Sequence, residues 1–133
     1  MRRLDLNPLP LVDDPRFTGS VSGAHAGPPE DPVLHVFVVS FSPGGRTAWH
    51  SHPNGQLLIC TQGRGWVATR DGATQELTPG SGVWTDRGEE HWHGAGADSP
   101  MTHVAVQTTA PDGQDAARWF EAVGEEHIPA VTP

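Results

Sequence analysis

Two stretches decide how this chain is read: RTAWHSHPNGQ, residues 46–56, and EEHWHGA, residues 89–95. Each holds a His-x-His pair, His50/His52 in the first and His91/His93 in the second. On a β-strand, residues i and i+2 point to the same side, about 6.6–6.8 Å apart along the chain. Imidazoles so placed can converge on one metal ion. One such pair is more often a surface alternation or a satisfied core histidine. Two pairs, each placed after a Gly-containing turn and followed by a third polar strand, favour a metal. That third strand is MTHVAVQ, residues 101–107, in which His103, Ala105 and Gln107 share a face. Gln56 follows His52 by four residues across a turn, so the fold must set its phase. With these faces inward, the interior holds His50, His52, Gln56, His91, His93, His103 and Gln107. Left unpaired, each would cost roughly 1–3 kcal/mol. A metal within a solvated pocket satisfies most of them together.

The surroundings of these stretches predict an all-β fold. In LHVFVVSF, residues 34–41, the side chains of His35, Phe37, Val39 and Phe41 alternate onto one face. GWVATR and TQELT flank Asp71-Gly72, a two-residue hairpin signal. GVWT adds another short segment, and the regular spacing of strands and turns suits an antiparallel sandwich or barrel. Residues 1–32, rich in Pro, Gly and Asp, read as an extended N-terminal arm with one short strand near Phe17–Val21. Residues 33–110 read as the barrel. In residues 111–133, Ala116, Trp119, Phe120 and Val123 recur at helical spacing, which predicts a C-terminal helix over about 112–127 and a tail packing on the barrel.

Composition narrows the chemistry. The 133 residues suffice for one domain, and 16 Gly with 13 Pro suit short strands better than long helices. All eight basic residues are Arg, and the formal net charge of −8 disfavours a nucleic-acid partner. Without Lys there is no Schiff-base nucleophile and without Tyr no phenolic acid. Proton transfer therefore falls to His, Asp, Glu or a metal-bound water. The single Cys60 excludes an intrachain disulfide and reads as a small buried hydrophobe. No apolar run is long enough to span a bilayer and MRRLDLNPLP does not resemble a signal segment, so no membrane partner and a cytoplasmic location are expected. Trp49 and Trp92 alternate with the histidines and should face outward. They need cover from the arm, the helix or a second subunit, and a homodimer is expected. His25 and His127 read as surface residues, His35 as lining the barrel end, and Glu89 and Glu90 as a solvated turn.

The residues now match a family. Gly44, His50, His52, Gln56 and Gly63 resemble the first cupin motif, and Gly80, Asp86, Gly88 and His91 the second. Gln56 replaces the usual Glu, Asp86 the usual Pro, and Ala95 stands where Asn usually ends the motif. RTAWHSHPNGQ, EEHWHGA and MTHVAVQ are together similar to a bacterial cupin subgroup that includes manganese-dependent hydroxynitrile lyases. The resemblance runs from Val33 to Gln107. It implies a cupin-type antiparallel β-barrel (double-stranded β-helix, jelly roll) holding one divalent metal through His50, His52, Gln56 and His91. It further implies that His93 is the base beside the metal and that His103 and Gln107 orient the catalytic groups. Thr47, Phe37 and Phe41 fall at pocket positions, with Phe37 in a place held by a small residue in such lyases.

Three imidazoles and an amide leave a divalent ion its full +2 charge, a strong Lewis acid for anionic ligands. The resemblance points to Mn(II). The donor set also fits Fe(II), Co(II), Ni(II) or Zn(II). The function implied is lyase action on a small-molecule cyanohydrin or related hydroxy compound. Two other readings stay open: an Fe(II)-dependent dioxygenase acting on a small organic acid or alkene, and a non-catalytic cupin that binds a small molecule.

Overall fold

The computed structural model describes residues 1–110 and 115–130. Its strands are β1 (Leu9–Pro10), β2 (Phe17–Thr18), β3 (Val21–His25), β4 (Leu34–Phe41), β5 (Arg46–Thr47), β6 (His50–Ser51) and β7 (Gln56–Gly63). They continue as β8 (Gly65–Thr69), β9 (Thr74–Leu77), β10 (Gly82–Thr85), β11 (His91–Ala95), β12 (Met101–Thr108) and β13 (Arg118–Trp119). One sheet runs β1-β3-β4-β12-β7-β10. The other runs β13-β6-β11-β5-β2, with β8 joined to β11 and β9 to β8. Every pairing is antiparallel, and the two sheets enclose an all-β barrel of cupin type.

Alternation places the site. Along β12, Met101, His103, Ala105 and Gln107 are buried and their neighbours only half-buried. His103 and Gln107 therefore project into the barrel beside an apolar floor of Val39, Phe41, Leu58, Cys60, Val67 and Met101. A turn containing Asp71-Gly72 joins β8 to β9, but it is longer than the two-residue hairpin expected. Thr69 N–H donates to the Ala73 carbonyl at 3.0 Å with Arg70, Asp71 and Gly72 between them, Gly72 at a φ of 89° and the Asp71 side chain accepting from Ala73 N–H. Gly63 closes the first motif in the left-handed region, at a φ of 75°. A Cβ there would also lie 1.8 Å from the Pro100 carbonyl oxygen, so only glycine fits.

The predicted C-terminal helix is not formed. Residues 112–114 of it lie outside the described ones, and from Asp115 to Ala130 the chain has only strand β13 and a 3-10 turn at Glu125–His127. The reason is the bare edge of β6. Arg118 and Trp119 pair with Ser51 and His50, Phe120 N–H donates to the Trp49 carbonyl at 2.8 Å, and Trp49 N–H donates to Glu121 at 3.0 Å. These backbone groups satisfy the sheet instead of one another. The apolar residues read as a helical stripe cover the barrel from an extended strap. Val123, with Phe120 and Ile128, packs on Trp49, Ala68 and Trp92.

That strap accounts for the outward tryptophans. Trp92 is fully buried and Trp49 nearly so, both under the chain's own C-terminal segment. The segment read as an arm is also more regular than expected: β3 pairs with β4 over its whole length and β1 pairs with β3. No helix among the described residues is long and apolar enough to cross a membrane.

Candidate metal centre and pocket

Strands β6 and β11 lie side by side with His91 opposite His50, which draws the two His-x-His pairs into one cluster. The His50 and His91 rings lie 4.4 Å apart, His50 and His52 5.0 Å, and His50 and His93 5.0 Å. His50, His91 and His93 each offer a nitrogen within 4.8 Å of the others, a triad that could hold a divalent metal. All four rings are buried.

Hydrogen bonds fix the tautomers. Nδ1 of His50 donates to the Ala48 carbonyl at 2.9 Å, that of His52 to Ala116 at 2.7 Å, and that of His91 to Glu89 at 2.9 Å. A carbonyl can only accept, so in each neutral ring the proton is on Nδ1 and Nε2 carries a lone pair. Burial lowers the pKa of all these groups, His91 to about 4 and His50 well below the ordinary value, where His91 and His52 add to the effect. The rings are therefore neutral at pH 7.

The donor set fits a cation. Nε2 of His91 lies 2.9 Å from Oε1 of Gln56, whose own Nε2 donates to Gln107 Oε1 at 3.1 Å. Two lone pairs thus face each other with no proton between them. Ligands bound at right angles with bonds of about 2.1 Å lie about 3 Å apart, the separation found here. Nε2 of His52 and Nε2 of His93 are also buried without a partner among the described residues. Such a constellation would cost several kcal/mol if nothing charged filled it. A divalent metal relieves it.

His93 differs from the other three. Its Nδ1 lies 2.8 Å from Nε2 of His103, and its backbone N–H donates to Thr47 Oγ at 3.1 Å. Burial and the surrounding imidazoles hold the pKa of His93 well below the ordinary range, and burial holds His103 at about 4.

A cavity of about 710 Å³ opens from this cluster. Thr47, His50, His52, Gln56, His93, Gln107 and Phe37 all line it. Phe37 packs against His25 with ring centres 4.4 Å apart and the planes tilted at 47°, filling one wall. Phe41 takes a different place from the one expected. It packs behind the histidines, edge-on to His93 at 6.1 Å and 5.3 Å from His103, and is not among the cavity-lining residues. Three contributors escaped sequence reasoning: the Ala116 carbonyl, the Trp119 ring stacked 4.4 Å from His50, and Arg16. The first two lie on the strap read as a helix and the third in the segment read as an arm. Only the order of polar and aromatic residues there could have signalled them.

An antiparallel barrel with this His cluster, a candidate metal site, inside it is the architecture of a cupin, and the chain belongs to the cupin family: residues 37–107 match the cupin domain. Among individual relatives, the (R)-mandelonitrile lyase of Granulicella tundricola is 47% identical over 111 residues, covering 83% of each chain. A cupin-like protein from Thermotoga maritima superposes with a TM-score of 0.76 at 37% identity, covering 84% of each chain. A polyketide cyclase from Streptomyces resistomycificus shares the fold, with a TM-score of 0.69 at 21% identity over 81% of this chain and 79% of the other.

Proposed function

We propose that the protein is a metal-dependent lyase that cleaves, or in reverse forms, the C–C bond of a small cyanohydrin or related hydroxy compound. The observation that carries this reading is the His93–His103 pair beside the imidazole cluster at the wall of the cavity. The 47% identity to a mandelonitrile lyase supports it.

The three rings whose Nδ1 is committed to a carbonyl, His50, His52 and His91, would hold the metal through Nε2, with Gln56 as the fourth ligand. Gln107 keeps the Gln56 oxygen turned toward it. A bound divalent ion, Mn(II) in this proposal, supplies Lewis acidity to the oxygen or nitrile end of the substrate. His93 is left as the base. When its Nδ1–H donates to His103 Nε2, its own Nε2 lone pair is available to take the substrate hydroxyl proton. The bond to the nitrile carbon breaks with its electron pair on cyanide, the carbonyl forms, and His93 returns the proton to cyanide. His103 accepts from His93 throughout and holds its ring. Thr47 and Phe37 shape the space beside it.

The test reconstitutes the protein with Mn(II) and follows benzaldehyde release from mandelonitrile, with His93→Ala alongside. Turnover lost in the variant is expected. Equal turnover in both would remove His93 from the role, and oxygen uptake coupled to product would replace lyase with oxygenase chemistry.

The homodimer moves to another surface in this proposal, since Trp49 and Trp92 are already covered. Trp84 on the edge strand β10 is 56% exposed, and its strand neighbours on β7 include the exposed Ile59. The free edge of β10 with this apolar flank suits a second copy of the chain. A Trp84→Glu variant that leaves the sedimentation coefficient unchanged would refute that interface.

A further inference from the structure

We infer that Arg16 forms a second pole of the cavity, a subsite for a carboxylate at the far end of the substrate. The inference rests on the lyase reading for which end of the substrate reacts.

Arg16 is the one Arg that lines the cavity, in a chain without Lys. Asp14 holds the guanidinium by its side-on edge, with Nε–Oδ1 at 2.9 Å and Nη2–Oδ2 at 2.6 Å. The end-on edge, Nη1 with the second hydrogen of Nη2, bonds nothing among the described residues. A guanidinium has two such forks, and a carboxylate matches either one bidentately. The group is also fixed in place, its Cζ 5.7 Å from the Phe17 ring and 5.8 Å from the Trp119 ring. Contact with these two rings, which lie 6.3 Å from each other, together with the Asp14 fork leaves it less freedom to lose on binding.

Trp119 links the two poles. It stacks on His50 at 4.4 Å and packs against Arg16, so the guanidinium lies within about 10 Å of a proposed metal ligand. The rest of the cavity wall is mostly apolar, with Leu11, Phe17, Phe37, Val39, Ala105 and Trp119 lining it. A phenyl ring with its reacting carbon at one end and a carboxylate at the other spans a gap of that order. The net charge of −8, together with Asp115 exposed at the same rim, repels anions in general. A preference for a carboxylate must therefore come from direct contact with Arg16 rather than from the overall field.

The experiment measures binding of 4-formylbenzoate and of benzaldehyde to the Mn(II)-loaded protein by calorimetry, in wild type, Arg16→Met and Arg16→Lys. About tenfold or greater preference for 4-formylbenzoate is expected in wild type. It should be lost in Arg16→Met and partly kept in Arg16→Lys, which preserves the charge but not the fork. Equal affinity for the two ligands in wild type would overturn the subsite. So would a preference that survives in Arg16→Met, which would place the carboxylate on the metal instead. Far-UV circular dichroism checks that the variants fold, as expected for a half-exposed side chain. Because binding is measured apart from turnover, a preference without cyanohydrin cleavage would sink the lyase reading alone. Cleavage without a preference would sink the subsite alone.

Discussion

Acidification should unfold the metal-free protein well before its carboxylates titrate. His91 and His103 are buried and neutral, each with a pKa near 4 against an ordinary value of 6.5. The unfolded chain therefore takes up protons that the folded chain refuses. Stability is fully present above pH 6.5 and is lost as the pH falls from there toward 4. Between pH 7.5 and pH 5.0 each ring costs about 2 kcal/mol, so the two together cost about 4 kcal/mol, most of it lost between pH 6.5 and pH 5. His50, His52 and His93 are depressed in the same direction, which makes this figure a floor. Set against a typical total of about 5–15 kcal/mol, the loss is large. Urea unfolding of the apo-protein at half-unit steps of pH measures it directly. In His103→Gln, whose amide oxygen can accept from His93 Nδ1–H in place of Nε2, one titration disappears and the loss should shrink by about 2 kcal/mol. A wild-type stability that stays flat from pH 7.5 to 5.0 would refute the reasoning, as would an unchanged slope in the variant.

Removing the amide that aims Gln56, in Gln107→Leu, should weaken Mn(II) binding about 10- to 100-fold by calorimetry while the fold is kept. Trp119→Phe should lose most of the tryptophan quenching that Mn(II) produces, because that ring alone among the tryptophans stacks on a proposed ligand. In Gly94→Ala the new Cβ would meet the Gly45 carbonyl oxygen at 2.5 Å and Arg46 Cβ at 2.6 Å. Thermal denaturation should show a loss of about 1–3 kcal/mol. Gln56→Glu should tighten Mn(II) binding yet slow cyanohydrin turnover, since a carboxylate reduces the charge available to the substrate; faster turnover would contradict the argument from a neutral donor set.

The barrel was legible because period-2 alternation is a local property. In MTHVAVQ and LHVFVVSF each residue's face follows from its neighbours, and burial bears the pattern out along all of the first and, in the second, at Val39 and Phe41. The convergence of the two His-x-His pairs was legible only as a condition that the strands meet, and the β6–β11 pairing meets it. The C-terminal segment was not legible, for a physical reason. Ala116, Trp119, Phe120 and Val123 satisfy helical spacing, but the unpaired edge of β6 and the exposed faces of Trp49 and Trp92 exist only after the barrel closes. A strap that satisfies both cannot be inferred from its own residues. The same holds for Phe41, whose side chain faces inward as alternation requires but lies beneath the histidines rather than beside the cavity.

The misread strap is also the part that completes the site. Its Ala116 carbonyl fixes the tautomer of His52, its Trp119 backbone pairs with His50, and the Trp119 ring lies between His50 and Arg16. It is held at its far end by Arg46, whose buried Nε donates to the Val123 carbonyl at 2.7 Å, and by the exposed Arg70–Glu121 pair. Exposed ion pairs contribute little. A buried guanidinium bond and the burial of Val123 against Trp92 contribute much more. The barrel alone would thus bring the imidazoles together, while the orientation of two of them depends on a segment tied down by its backbone pairing with β6 and Trp49, one buried arginine and one apolar cluster. Metal affinity should therefore follow the stability of the strap as well as the identity of the ligands.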